Sequence, residues 1–206
     1  NIIKNKKLKR FINIGTAAEY GFSTTPIDEE FKERPMGPYG KSKLEQSILV
    51  EEFSKEEKIK VINLRLFNVA GLPKRNKPKN ELVSNPFIFE SLVNQFMLNF
   101  NGQIIVGNKN DVRDYVDIDD ICEAIFRALK TKKGKQYEVI NICYGRGTKL
   151  SDVVSLFGKI LKKKYKVFST SNKEASQSVG VNDKAKKILK WEPKVSLEES
   201  IKKMIW

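Results

Sequence analysis

The chain has 206 residues, 40% of them hydrophobic and 31% charged, with a formal net charge of +14. That is chain enough for one or two domains with a real core, while no apolar run approaches the roughly 20 residues that span a bilayer and the first residues, Asn1 to Lys7, lack a signal-peptide core and cleavage site. There is no histidine, which excludes histidine catalysis and the commonest metal ligand and leaves tyrosine, lysine and carboxylates for any proton transfer.

The two cysteines, Cys122 and Cys143, give neither a disulfide framework nor a metal-binding spacing and point to a reducing cytoplasm. The positive charge reads either as a surface for an anionic partner or as lysines spread over solvated helix faces. The lysines fall mainly in helix-like segments such as 162–164 and 184–190, which favours the second reading. The one compact basic loop, Lys74 to Lys79, has no interleaved aromatics to stack bases, so no nucleic-acid partner is expected.

In chain order, the opening residues read as a helix end feeding a strand. No glycine precedes Gly15, so no glycine-rich strand-to-helix turn is present to cradle a dinucleotide pyrophosphate. Phe11 to Ile14 is an apolar strand that ends in small residues and a hydroxyl, Gly15-Thr16-Ala17-Ala18. A polar loop with prolines at 26, 35 and 38 follows. Residues 38–57 then read as a helix, with Leu44, Ile48, Leu49 and Phe53 as its core-facing stripe.

That helix begins with Tyr39 and Lys43, which lie one above the other on a single face. An ammonium held near a phenol favours the phenolate, and such a phenol can give or take a proton at an alcohol or ketone oxygen. In a lysine-rich chain the pair could equally be a chance match on a surface helix. Of six tyrosines, however, only Tyr39 has a lysine at the fourth position on.

Residues 58–68 form a strand-like run that ends at Phe67-Asn68, where Asn68 reads as a strand-end turn residue. A helix is expected from Pro86 to about Phe100, with Phe87, Phe89, Leu92, Val93, Phe96 and Met97 as core, then a short strand within 102–108. In the next segment, Val112 to Ile121, the guanidinium fork of Arg113 suits phosphate oxygens. Asp119 and Asp120 are better explained as caps of the following helix than as a paired-carboxylate site. A strand over 136–142, a helix over 150–163, a cap at Asn182 or Asp183 and a Ser196/Glu199 capping box complete the chain. Cys143 reads as a small buried side chain.

Together these segments resemble the extended short-chain dehydrogenase/reductase family, the NAD(P)-dependent nucleotide-sugar epimerases, dehydratases and reductases. The resemblance rests on Thr16 to Gly21 (Thr-x-x-x-Tyr-Gly), on Tyr39-x-x-x-Lys43, on Phe67-Asn68, on Arg113-Asp114-Tyr115-Val116 and on Trp191-x-Pro193, and runs from Arg10 to Met204. It implies an α/β fold: the C-terminal part of a Rossmann-type parallel sheet with a smaller α/β substrate-binding domain. Residues 1–72 with 113–145 would belong to the NAD(P)-binding part, and 73–112 with 146–206 to the nucleotide-sugar part. The missing glycine-rich turn then implies a fragment that starts midway through the Rossmann sheet.

By the same resemblance Tyr39 is the acid/base, Lys43 its electrostatic partner and cofactor-ribose ligand, and Thr16 the donor to the substrate oxygen. Asn68 binds the nucleotide-sugar, Arg113 its diphosphate, and Lys173 stands where the family places a late substrate arginine. The 4,6-dehydratases carry Asp-Glu after the threonine; here those positions are Ala17 and Ala18. The expectation is therefore hydride chemistry at C4 with NAD or NADP. Strings such as Val106-Gly107-Asn108 and Val179-Gly180 resemble the GDP-4-keto-6-deoxy-mannose reductases, which points to reduction of a nucleotide-linked 4-keto-6-deoxyhexose. A 4-epimerase is the alternative, and a non-catalytic binding protein on the same scaffold is the alternative of another class. The resemblance leaves a homodimer open.

Overall fold

The computed structural model describes residues 8–71, 88–98 and 100–205. The first half runs β1 (Arg10–Thr16), a 3-10 turn (Ala17–Glu19), α1 (Pro38–Glu57), β2 (Lys60–Leu66), β3 (Asn68–Ala70) and α2 (Ile88–Val93), which widens into a π-turn over Asn94–Leu98. Next come β4 (Gln103–Val106), β5 (Val112–Asp117), α3 (Ile118–Lys130), β6 (Tyr137–Ile142) and β7 (Gly147–Lys149). The chain closes with α4 (Leu150–Leu161), β8 (Lys166–Ser169), β9 (Gln177–Ser178), α5 (Asp183–Leu189) and α6 (Leu197–Ile205).

Among the described residues the central sheet has three parallel strands in the order β1-β2-β6. Side chains alternate across a strand, so β2 sends Ile62 and Leu64 to one face and Asn63 and Arg65 to the other. On the first face Ile62, Leu64, Ile140 and Ile142 pack against Ile121, Ala124 and Ala128 of α3, with Leu189 and Trp191 behind them. The Trp191 indole is buried and donates Nε1–H to the carbonyl of Asp120 (2.9 Å).

The second face is covered by α1 in a different way. The predicted apolar stripe holds only in part: Leu44 and Phe53 are half-buried, with Phe53 edge-on to Phe11 at 6.4 Å, but Ile48 and Leu49 are exposed, and the fully buried residues of α1 are Gly40, Ser47 and Ser54. These sit seven apart, two helical turns, and so form one line along the helix. The physical reason lies in the sheet beneath, which presents Asn13, Asn63 and Arg65, all buried. Such a face needs hydrogen-bond partners rather than isobutyl groups, and small residues bring the helix close enough to supply them.

β5 anchors a second sheet, parallel to β3 and β9 and antiparallel to β7, while β4 and β8 form a separate parallel pair. Between them Phe89, Phe96, Phe157 and Tyr115 make an aromatic core closed by α4 and α6, with Phe96 and Phe157 stacked at 5.7 Å. The short strands β7, β8 and β9 were not expected from the sequence. The basic loop Lys74 to Lys79 and Phe87 lie outside the described residues.

The acidic caps are redistributed. Asp117, not Asp119 or Asp120, is the N-cap of α3, accepting from the amide of Asp119 (2.9 Å). Asp120 instead accepts from the amides of Lys194 and Val195, both at 2.9 Å, and pins the tail ahead of α6. The Ser196/Glu199 capping box forms as expected.

Candidate active site

At the C-terminal ends of β1 and β2 lies a cleft of about 360 Å³, within the size range of small-molecule sites. Its wall is made by the 3-10 turn after β1, the first turn of α1, the Leu66-Phe67-Asn68 step, and Arg113 and Ser178 from the second sheet. Of the six residues singled out in the sequence, Thr16, Tyr39, Asn68 and Arg113 line this one cleft.

Thr16 is the last residue of β1 and the cap of the turn that follows. Its hydroxyl oxygen accepts from the Ala18 amide (3.3 Å), so its proton is left for an oxygen in the cleft. Its own amide donates to Glu19 Oε1 (2.9 Å). Tyr39 is the second residue of α1, behind Pro38 at the position where proline is tolerated best, and its side chain is 63% exposed at the cleft rim. Two glycines set the spacing of these elements. A Cβ on Gly40 would stand 2.5 Å from the carbonyl oxygen of Ala18, and one on Gly15 would stand 2.6 Å from Asn63 Oδ1.

Lys43 turns inward one helical turn beyond Tyr39. Its ammonium donates to the carbonyl of Ile14 (2.6 Å) and to Gln46 Oε1 (2.6 Å). An ammonium has three N–H donors, so one remains. Asn68 opens β3, half-buried, with its side chain on the cleft wall. Arg113 is held on the opposite wall by the carbonyls of Val112 (2.9 Å) and Ser176 (2.8 Å), by Ser176 Oγ (2.8 Å) and by Asp111 (3.3 Å). Its guanidinium also lies over the Phe22 ring at 4.7 Å. Lys173 is exposed on the loop ahead of β9, where its carbonyl accepts from Asn108 Nδ2 (2.8 Å), and it is not among the cleft-lining residues.

Two carboxylates behind the cleft carry no role in the sequence reading. Glu19 is fully buried and paired with Arg65 (Nε to Oε2, 2.9 Å). Asp114, also fully buried, accepts from the amides of Tyr144 (2.7 Å), Gly145 (2.9 Å) and Gly180 (3.2 Å). It thereby ties the second sheet to the loop after β6. Burial pushes its carboxyl up to about 6, against the pull of those amide donors. A signal for the first of these was present: Asn63 and Arg65 alternate within a strand that is otherwise apolar, and so had to face something polar. Glu19 itself was quoted within the Thr16 motif but stood outside its fixed positions.

A parallel sheet flanked by helices, with a hydroxyl, a phenol and an ammonium gathered at the strands' C-terminal ends, is the arrangement of an α/β nucleotide-dependent enzyme. The family model described as GDP-mannose 4,6 dehydratase matches residues 1–204. The chain belongs to this family, within the extended short-chain dehydrogenase/reductases. Among curated relatives, a putative UDP-arabinose 4-epimerase 2 of Arabidopsis thaliana is 29% identical over 97% of this chain and 51% of its own length. A UDP-glucose 4-epimerase of Rhizobium meliloti is 25% identical over 91% of this chain and 60% of its own length.

Among solved structures, UDP-glucose 4-epimerase of Thermotoga maritima with UDP-glucose superposes with a TM-score of 0.81 at 30% identity, covering 97% of this chain and 63% of that one. UDP-glucuronic acid 4-epimerase from Bacillus cereus, in complex with NAD, reaches 0.79 at 29% identity, covering 98% and 61%. The chain therefore spans between half and two thirds of the length of these relatives. Among the described residues no helix is long and apolar enough to cross a membrane.

Proposed function

We propose that this chain carries the acid–base and sugar-binding part of an NAD(P)-dependent enzyme that works at C4 of a nucleotide-linked sugar. The observation that carries this reading is the convergence of Thr16, Tyr39, Asn68 and Arg113 on one cleft, with Lys43 anchored beside β1 one turn behind Tyr39. A nicotinamide dinucleotide suits the residues present: the cleft rim offers an exposed phenol, and the Lys43 ammonium keeps one N–H for a ribose hydroxyl. When bound, that cofactor supplies or takes up the hydride.

Tyr39 delivers or removes the proton on the C4 oxygen, which Thr16 holds through its hydroxyl. Lys43 grips the ribose and keeps a positive charge on the Tyr39 face of the helix. Asn68 contacts the sugar nucleotide, and Arg113 exchanges some of its present acceptors for diphosphate oxygens. Lys173, exposed on its loop and outside the cleft lining, is the remaining candidate for a substrate phosphate. Residues 1–72 with 113–145 serve the cofactor, and 73–112 with 146–206 the sugar nucleotide.

Loss of water from the sugar is disfavoured. At the two positions after Thr16 the cleft presents Ala17 and Ala18, and the carboxylate that follows them, Glu19, is buried and committed to Arg65. Epimerisation is the form best supported, because relatives and solved structures at 25–30% identity are UDP-sugar 4-epimerases. Reduction of a 4-keto-6-deoxy sugar is the second reading, favoured by the strings around Val106-Gly107-Asn108 and Val179-Gly180. One experiment separates them: incubate the protein from its complete coding sequence with NAD(H) or NADP(H) and a UDP-sugar or a nucleotide-linked 4-keto-6-deoxyhexose. Interconversion of C4 epimers without net cofactor turnover is expected. Stoichiometric consumption of reduced cofactor replaces it with the reductase, and absence of cofactor binding overturns both.

A further inference from the structure

Lys43 begins a one-way chain of hydrogen bonds that ends on a buried carboxylate. Its ammonium donates to Gln46 Oε1 (2.6 Å), and Gln46 Nε2 donates to Asn13 Oδ1 (2.8 Å). Asn13 Nδ2 donates to Asn63 Oδ1 (3.0 Å), and Asn63 Nδ2 to Ser47 Oγ (2.9 Å). Ser47 then donates to Glu19 Oε2 (2.8 Å). Asn13, Asn63, Ser47 and Glu19 are each at most 3% exposed, so water offers them little alternative.

The chain has a direction. An ammonium can only donate and an ionised carboxylate can only accept. The two ends therefore dictate every amide between them: each carbonyl turns toward Lys43 and each N–H toward Glu19. Flipping one amide would set donor against donor at one side and acceptor against acceptor at the other. Every link's dipole lies along the field of the charges at the ends, and aligned links polarise one another. The parallel register makes this possible, because it places Asn13 and Asn63 side by side on adjacent strands.

The anchor is itself held by reacting-site elements. Glu19 Oε2 also accepts from Arg65 Nε (2.9 Å), and its Oε1 accepts from the backbone amide of Thr16 (2.9 Å). One carboxylate thus fixes the strand end that carries the Thr16 hydroxyl and, through five links, the Lys43 ammonium. We propose that Glu19, Ser47, Asn63, Asn13 and Gln46 act as a set of positioning residues that hold Lys43 and Thr16 from a single anchor, so that the Lys43 ammonium stays docked on the Ile14 carbonyl near the end of β1 with one N–H to spare. This rests on the reading of Thr16, Tyr39 and Lys43 as the reacting-site groups.

The test uses the protein from its complete coding sequence, and Ser47→Ala as a break that does not touch Lys43. In the cofactor-free protein the side-chain ¹⁵N–¹H resonances of Asn13 and of the Lys43 ammonium, both beyond the immediate neighbours of Ser47, are expected to move in Ser47→Ala. Gln46→Glu keeps an acceptor for Lys43 but cannot donate to Asn13, and is expected to move the side-chain amide of Asn63. If only the immediate neighbours of each substitution shift, the chain is not coupled and the proposal falls. With NAD(H), Ser47→Ala is expected to weaken binding about 3- to 10-fold, the worth of one ordinary hydrogen bond, and to have no further effect once Lys43→Met is present. Independent, additive losses in the double variant would mark Ser47 as merely structural and overturn the positioning role. A wild-type protein that binds no NAD(H) would sink the functional reading, while the resonance shifts still decide the chain.

Discussion

Beneath α3 the central sheet presents Ile62 and Leu64 of β2 with Ile140 and Ile142 of β6; beneath α1 it presents Asn63 and Arg65, one residue out of phase on β2, with Asn13 of β1. The apolar face is stabilised in proportion to buried area and without direction, so a small shift of α3 costs little specificity. The polar face is directional. Its groups are worth about 1 kcal/mol each when paired and cost more than that when orphaned, so α1 has one acceptable position. Thr16, Tyr39 and Lys43, the groups assigned to the proton and the ribose, hang on that second face, while Asn68 and Arg113 come from β3 and β5. The molecule separates the surface that supplies stability from the surface that supplies placement.

The comparison can be sharpened from its largest effect downward. Tyr39→Phe should leave the melting temperature unchanged, because the ring is exposed, and lower turnover by about 10²–10⁴-fold; steady-state kinetics beside a thermal melt check this. Arg65→Met should destabilise by about 3–5 kcal/mol, since it strands the Glu19 carboxylate in the interior, and Glu19→Gln in the same chain should recover part of the loss. Denaturant unfolding of the two variants measures both. Leu64→Ala, one residue away on the other face, should cost about 2–5 kcal/mol yet leave NAD(H) affinity unchanged in the variant that still folds. If cofactor affinity fell as far in Leu64→Ala as in Arg65→Met, the division of labour between the faces would be wrong.

A smaller effect concerns Asp114. Its carboxyl is raised by burial to about 6, above the ordinary value near 4, so the folded state favours the protonated form. The stability tied to this group is fully present below pH 4 and is lost as pH rises through about 6, by roughly 3 kcal/mol at most. Unfolding free energies between pH 4 and 7 should show this slope in the wild type and lose it in Asp114→Asn. The smallest effect is a gain. Lys58 ends α1 at φ 53°, a left-handed conformation that costs a side-chain-bearing residue roughly 1 kcal/mol, and Lys58→Gly should return most of that in a thermal melt.

The sequence made α1 legible in its boundaries, because Pro38 marks its start and the following strand its end. It misassigned the helix's most deeply buried face for a physical reason. Periodicity identifies which residues share a stripe, but the stripe that is buried depends on what the sheet offers, and here the sheet offers amides and a guanidinium. Serine and glycine at 40, 47 and 54 look like nothing when hydrophobicity is the only signal. The gathering of Thr16, Tyr39, Asn68 and Arg113 on one cleft follows the family resemblance that those motifs carry. Glu19 and Ser47 were not, since their partners are 46 and 28 residues away and meet only after parallel pairing has set the register. The short strands β8 and β9 escaped because two to four residues carry no period to detect.

Gly37 and Gly40 stand three residues apart at the mouth of the cleft, and their surroundings differ: nothing lies within 4 Å of a Cβ built on Gly37, while one built on Gly40 meets the carbonyl oxygen of Ala18 at 2.5 Å. In the language of sequence variation, the two codons are under unlike constraint. A saturation library selected for activity should return many residues at 37, serine and aspartate among the gains because they cap the helix. At 40 it should return glycine alone, since any side chain there widens the gap between the threonine turn and the tyrosine helix.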